Sequence, residues 1–219
     1  MFIDNREIHF LDKKHCNLLL DNVTNIRHKL IILLLLDCGL RVSEAVSLKL
    51  NNFDFKKRTL RVQSLKKRQE KSYRVIPLST RLYNCMAEYL YKQKLNNDDY
   101  LFPGLNGNDH LRRETVNRFL DRYKYKLNIP NLHPHALRHT CATQHLANGT
   151  PLENIKELLG HKKYDTTLIY AHIPEEILRN NISKVTEGNK SIFHRLWYWL
   201  FTQPQKVINV NTSLSQLPT

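Results

Sequence analysis

A histidine and an arginine one helical turn apart (His135, Arg138), a second histidine just after a glycine (His161) and a tyrosine farther on (Tyr170) fall within one stretch of the chain, His133 to Tyr170. A guanidinium fork matches two phosphate oxygens, imidazoles donate or shuttle protons, and a phenol is a usable nucleophile once its proton has a destination. Gathered in one place, these side chains point to phosphate chemistry.

The local sequence says how they would be held. Pro134 suits the first turn of a helix that ends before Gly149, which puts His135 and Arg138 on one face of that turn. A second helix is predicted over residues 151–159: Thr150 precedes Pro151, Glu153 stands where a capping box wants it, and Gly160 closes the end. Leu152, Ile155, Leu158 and Leu159 share one face of it, so His161 is expected to be presented at an exposed C-terminal end rather than packed. Asp165 is placed to cap a short helix through Thr166 and Thr167 that carries Tyr170. Taken alone, Tyr170 reads as an amphipathic surface tyrosine; its neighbours raise it to a candidate.

Composition narrows the partner. The 219 residues suit one well-filled domain, with or without a small annex, and a formal net charge of +14 favours a polyanion, either nucleic acid or an anionic membrane surface, over a merely soluble basic protein. Cys16, Cys38, Cys85 and Cys141 are scattered with no C-x-x-C pair, which indicates neither a disulfide framework nor a zinc knuckle and suits reduced, cytoplasmic thiols. The histidines His133, His135, His139 and His145 are dense, yet no cysteine or carboxylate completes a zinc-ligand spacing, so no metal is expected, and His139 and Cys141 read as packing residues or as supports for neighbouring site residues. The apolar run from Leu30 to Leu36 is far shorter than the roughly 20 residues of a membrane span and reads as a buried helix. The start of the chain has no secretory pattern.

Upstream, helices are predicted over residues 12–21, 25–38 and 42–49, with Gly39 breaking the last two apart and leaving Arg41 at a helix start, where it could simply cap or snorkel. Alternation of Leu60 and Val62 with Arg61 and Gln63, and of Tyr73 and Val75 with Arg74, predicts a small antiparallel sheet around a long hairpin at 64–72. From Lys56 to Arg74 nine cations face the lone acid Glu70. Such a hairpin has nothing local to pair with, so its cations, Lys67, Arg68 and Lys71 among them, are assigned to a phosphate backbone or else to solvent. Residues 80–95 read as helix and 96–109 as loop. Val116, Phe119, Leu120, Tyr123 and Leu127 then trace the apolar face of a helix whose other faces are basic, with Arg112, Arg113 and Arg118 as further candidates for DNA contact.

Gly39-Leu40-Arg41-Val42-Ser43-Glu44, the hairpin lysines, His135-Ala136-Leu137-Arg138-His139, Leu159-Gly160-His161 and Thr166-Thr167-Leu168-Ile169-Tyr170 together resemble the tyrosine recombinase (phage integrase) family, over about residues 10–184. The resemblance implies a mainly α fold with a small three-stranded antiparallel sheet. It implies site-specific cleavage and rejoining of duplex DNA through a 3′-phosphotyrosyl intermediate, with Tyr170 as nucleophile and Arg41 and Arg138 as phosphate clamp. His135 would be the proton-accepting or hydrogen-bonding partner, His161 a further phosphate contact, and Lys66 the acid for the leaving 5′ oxygen, with Lys67 in reserve. Two competing readings keep the same fold: a type IB topoisomerase-like nickase-ligase, and a non-catalytic DNA-binding regulator of a full-length recombinase.

The chemistry supports these types independently. Guanidinium forks placed beforehand stabilise charge building on the non-bridging oxygens, and the phosphotyrosyl ester retains the energy of the broken bond, so no cofactor is expected. Partners implied are double-stranded DNA and further copies of the chain, dimer to tetramer, on DNA, with room for an accessory recombinase or DNA-bending protein and no membrane. The family usually carries an N-terminal DNA-clamping domain ahead of this segment, so the expectation is a minimal form, either a naturally minimal recombinase or a remnant or truncation. The catalytic domain is assigned to residues 1–184. The tail, 185–219, carries Ile192, Phe193, Leu196, Trp197, Leu200 and Phe201 at helical spacing, an amphipathic helix that either packs back on its own domain or, as the resemblance implies, docks on a neighbouring protomer.

Overall fold

The computed structural model describes residues 9–63, 73–93, 95–104, 109–161, Thr167 and Tyr170. All of these belong to the first of two units, Met1–Lys184; the second, Val185–Thr219, lies outside the described residues, and with it the expected amphipathic tail.

Seven helices and a small sheet are described. α1 (Lys13–Asn22) starts at Asp12, whose carboxylate accepts from His15 N at 2.7 Å, and α2 (Ile26–Asp37) starts at Asn25 in the same way. Leu30 to Leu36 are all buried, so this stretch of α2 is apolar on every side and forms the centre of the unit, against α3 (Val42–Val46), α4 (Thr80–Tyr91) and α6 (Pro134–Ala147). α3 and α4 stop short of the predicted ends at residues 49 and 95. In the first case a 3-10 turn over Leu50–Asn52 takes over and leads into the sheet.

β1 (Phe53–Asp54), β2 (Thr59–Gln63) and β3 (Tyr73–Pro77) form one antiparallel sheet in the order β1-β2-β3, with Leu60 opposite Ile76 and Val62 opposite Arg74. Leu60, Val62 and Ile76 supply its buried face. The fold is therefore mainly α with a three-stranded antiparallel sheet, as the sequence indicates. The hairpin tip, including Lys66, Lys67, Arg68 and Lys71, lies outside the described residues.

α5 (Arg113–Leu127) buries Val116, Phe119 and Leu120, and packs on α3 and α6. Pro134 sits in the first turn of α6, and the ring of His133 caps that helix, Nδ1 accepting from Ala136 N at 3.2 Å. α7 (Leu152–Leu159) starts one residue later than expected. Thr150 does not cap it, because its hydroxyl is turned to His145 Nδ1, at 3.4 Å. Gly39 joins α2 to α3 at φ +58°, and a Cβ there would stand 2.6 Å from Leu159 Cδ2, so α7 can approach this turn only over a glycine. Among the described residues no helix is long and apolar enough to cross a membrane.

Candidate active site

The centre of the site is an acid. Glu44 is the third residue of α3, and its carboxylate reaches back to the helix start, where Oε2 accepts from Arg41 N at 2.8 Å. Oε1 accepts from Arg41 Nη1 at 3.1 Å. Arg74, inward from β3, grips the same carboxylate with both arms of its fork, Nη2 to Oε2 at 2.7 Å and Nη1 to Oε1 at 3.1 Å. Arg138 Nη1 lies 3.9 Å from Oε2. Although burial pushes its pKa up, the two arginines outweigh that and hold this carboxyl below the usual range, so it is ionised at neutral pH.

Arg138 is itself buried, 5 % exposed, and gives two of its donors to backbone: Nη1 donates to Gly39 O and Nη2 to Leu159 O at 2.7 Å. Arg74 Nε donates to Leu158 O at 2.8 Å. The last turn of α7, whose carbonyls have no partner within the helix, thus ends on two guanidiniums, an arrangement the helix dipole also favours. Burial first, then Arg41, lowers the pKa of Arg138 to about 10, which leaves it a cation at neutral pH.

Gly160, at φ +65°, closes α7, and His161 N donates to Lys156 O at 3.0 Å, which fixes the backbone of His161. The expectation of a freely presented His161 is corrected here. Its ring is half-buried with Nδ1 3.1 Å from Thr167 Oγ1, because the arginines draw the end of α7 into the unit. Burial, followed by Arg138 and Arg41, lowers its pKa to about 3. His135, exposed on the first turn of α6, is lowered by burial, Arg138 and Arg41. Both imidazoles are neutral at pH 7, able to accept a proton or a hydrogen bond.

Tyr170 is not a surface residue. It is 1 % exposed in an apolar cluster with Ala142, Ile155 and Leu159, its hydroxyl 2.7 Å from His139 Nδ1. Burial raises the pKa of its phenol, and burial first, then His135 and Arg138, pushes His139 down to about 4, so the pair is a neutral phenol against a neutral imidazole. Of the two roles expected for His139, packing or support of a neighbouring site residue, its ring takes the second: it holds the hydroxyl of the candidate nucleophile.

Five of the six candidate catalytic residues are described. Arg41 and Arg138 meet at Glu44, His135 and His161 lie within electrostatic reach of both, and Tyr170 lies behind them on His139. Lys66 lies outside the described residues. Arg112, Arg113 and Arg118 are exposed at the start of α5 and make no side-chain pairing among the described residues. Arg74, which local charge places among the hairpin cations, instead points inward to Glu44, an acid distant in sequence that local charge counting cannot find. Glu44 itself carries a sequence signal, an acid three residues after a helix start; Arg74 carries none. Among the described residues no three His, Cys, Asp or Glu side chains gather as a metal site would need.

The lowered histidines set an acid limit on stability. In the unfolded chain an imidazole takes up a proton below its ordinary value of 6.5, whereas folded His139 and His161 do so only near 4 and 3. Stability is therefore complete above pH 6.5 and is lost as pH falls toward the folded values, at about 1.4 kcal/mol per unit of difference before solvent screening. Glu44, lowered from 4.5, adds its own loss below that value. The melting midpoint should fall steadily from pH 6.5 downward, with a shallower fall in His161→Gln. A midpoint flat to pH 5 would show that both rings protonate freely in the folded state.

Comparison with known proteins fits this geometry. The model of the Phage integrase family matches residues 9–176. Tyrosine recombinase XerA of Pyrococcus horikoshii is 40% identical over 162 residues, 73% of this chain and 55% of that protein, so the chain spans little more than half the length of this relative. The crystal structure of XerA recombinase superposes with TM-score 0.67 at 28% identity, over 78% of this chain and 62% of that one. The pre-cleavage complex of XerH site-specific recombinase with its difH substrate shares the fold, at TM-score 0.63 and 23% identity, over 79% of this chain and 52% of that one.

Proposed function

Because the chain belongs to the phage integrase family, we propose that it is a site-specific recombinase that breaks and rejoins duplex DNA through a 3′-phosphotyrosyl intermediate. The observation that carries this reading is the pair of guanidiniums, Arg41 and Arg138, held on one buried carboxylate beside the neutral ring of His161. Among the described residues Arg41 spends only Nη1 of its fork on a protein partner. Arg138 has five N–H groups, and two carbonyls take only part of them. The remaining donors can meet the non-bridging oxygens of a phosphodiester and stabilise the charge that builds there during attack.

In this reading the Tyr170 oxygen attacks phosphorus and its proton passes to a neutral imidazole, for which His135 is the candidate. The bond from phosphorus to the 5′ oxygen breaks, and Lys66 protonates that oxygen. Rejoining runs the same steps backward. One phosphoester replaces another, so the chemistry balances without nucleotide or metal. Tyr170 must first turn from His139 to the phosphorus, a change that bound DNA would have to favour.

Lys67, Arg68, Lys71, Arg112, Arg113 and Arg118 are assigned to the DNA backbone, and binding should weaken with a log–log salt slope of about −0.9 per phosphate contact. The active form is a dimer to tetramer on DNA in the cytoplasm, with residues 1–184 as its catalytic domain. The complex of XerH site-specific recombinase with its difH substrate, which shares the fold, supports the choice of a recombination substrate.

The test is incubation of the purified protein with duplex DNA nicked near the cleavage point, so that the short product diffuses away and a covalent protein–DNA adduct accumulates. Absence of an adduct on every DNA that the protein binds would sink the proposal. Lys66→Ala should slow cleavage of ordinary DNA by about 10² or more, yet barely slow a substrate whose bridging 5′ oxygen is sulfur, a leaving group that needs little protonation. Equal slowing of both moves the acid to another residue, Lys67 first.

A further inference from the structure

Three guanidiniums converge on Glu44, and the proposed phosphate clamp uses only two of them. We infer that the third, Arg74, is a positioning residue for strand cleavage: it occupies both oxygens of Glu44 and so sets Arg41, Arg138 and the His161 turn in one geometry. The inference rests on the reading of Arg41, Arg138 and His161 as phosphate contacts.

Glu44 is a problem for any such clamp. Its buried negative charge lies 3.1 Å from Arg41 Nη1 and 3.9 Å from Arg138 Nη1, where it competes with a phosphate for the same donors. Arg74 relieves that competition. Its fork is bidentate on the carboxylate, at 2.7 and 3.1 Å, and its side chain is only 11% exposed, so it stays there rather than turning to DNA. With Arg74 in place each carboxylate oxygen already has two donors, and the free arms of the clamp are left for the ligand. The third contact ties this to α7. Nε donates to Leu158 O at 2.8 Å, and a Cβ at Gly160 would stand 2.8 Å from Nη1, so the guanidinium lies against the turn that carries His161. A lysine keeps the charge but presents all its donors from one atom, and cannot reach both Glu44 oxygens and Leu158 O together.

A merely structural strut between β3 and α7 would make the same contacts, so the test separates the two by the charge on the substrate. Arg74→Lys and Arg74→Gln are compared with the unmodified protein on nicked duplexes carrying either an ordinary phosphodiester or an uncharged methylphosphonate at the cleavage point. DNA affinity and melting midpoint are measured alongside. The expected result is DNA affinity within about 3-fold of the unmodified protein and adduct formation slowed about 10²-fold on the phosphodiester, the scale of a misplaced catalytic group. On the methylphosphonate, where less charge needs stabilising, the loss should shrink to less than about 10-fold. Equal loss on both substrates, no loss on either, or failure of both variants to fold overturns the inference, since each reduces Arg74 to a strut or a bystander. If the unmodified protein forms no adduct on either DNA, the proposed recombinase activity itself falls, and the inference with it; an active unmodified protein with unaffected variants sinks the inference alone.

Discussion

Tyr170→Phe protein should bind duplex DNA with the affinity of the unmodified protein and form no covalent adduct at all. The ring of Tyr170 is buried against Ala142, Ile155 and Leu159, and phenylalanine fills the same space. What is lost is one oxygen, the proposed nucleophile, and with it the 2.7 Å hydrogen bond to His139. That bond sets the side effect on stability. A buried pair loses about 1 kcal/mol when one partner goes, a little more if His139 Nδ1 is left unpaired. A lower melting midpoint by a few degrees is therefore compatible with the assignment, and gel-shift affinity together with adduct yield are the quantities that decide it. An adduct that persists in Tyr170→Phe would mean that another residue attacks the phosphorus.

The burial of Tyr170 shows where sequence reasoning stops. Residue types and spacing were enough for the fold class, for the helices around His135, Arg138 and Gly160, and for Arg41 at a helix start, because capping and periodicity are local. What they could not supply is which side chain meets which across the fold. Val42 to Val46 looks like any short amphipathic helix, and nothing in it announces that Glu44 will collect an arginine from β3. Arg74 alternates with Tyr73 and Val75 as a strand residue should, and its sign places it among hairpin cations until the sheet packs on α7 and turns it inward. His161 follows a helix-ending glycine and so reads as exposed, yet the last carbonyls of α7 are satisfied by Arg74 and Arg138, which pulls the turn in. In each case a long-range pairing of a charged or polar group overrode a correct local rule.

Those pairings make the two clamp arginines separable by experiment. Arg41→Ala and Arg138→Ala should both slow adduct formation by about 10³, the scale seen when a preorganised donor to a developing anion is removed. Only the second should also lose substantial stability. Arg41 is 30% exposed at the side chain, and without it Glu44 keeps both contacts from Arg74. Arg138 is buried and is the side-chain donor to Gly39 O and Leu159 O, so alanine leaves two buried acceptors and a cavity between α6, α7 and the turn before α3. Each orphaned acceptor costs about 1–3 kcal/mol, which for both together is a large share of the roughly 5–15 kcal/mol that holds a domain folded. Arg138→Lys, which can still reach one of the two carbonyls, should recover part of the stability and little of the rate, because a point charge does not replace the fork on phosphate. Thermal melting and single-turnover adduct formation on the three variants give the answer. Equal destabilisation by Arg41→Ala and Arg138→Ala, or an Arg138→Lys protein as fast as the unmodified one, would show that the two guanidiniums do not divide the work in this way.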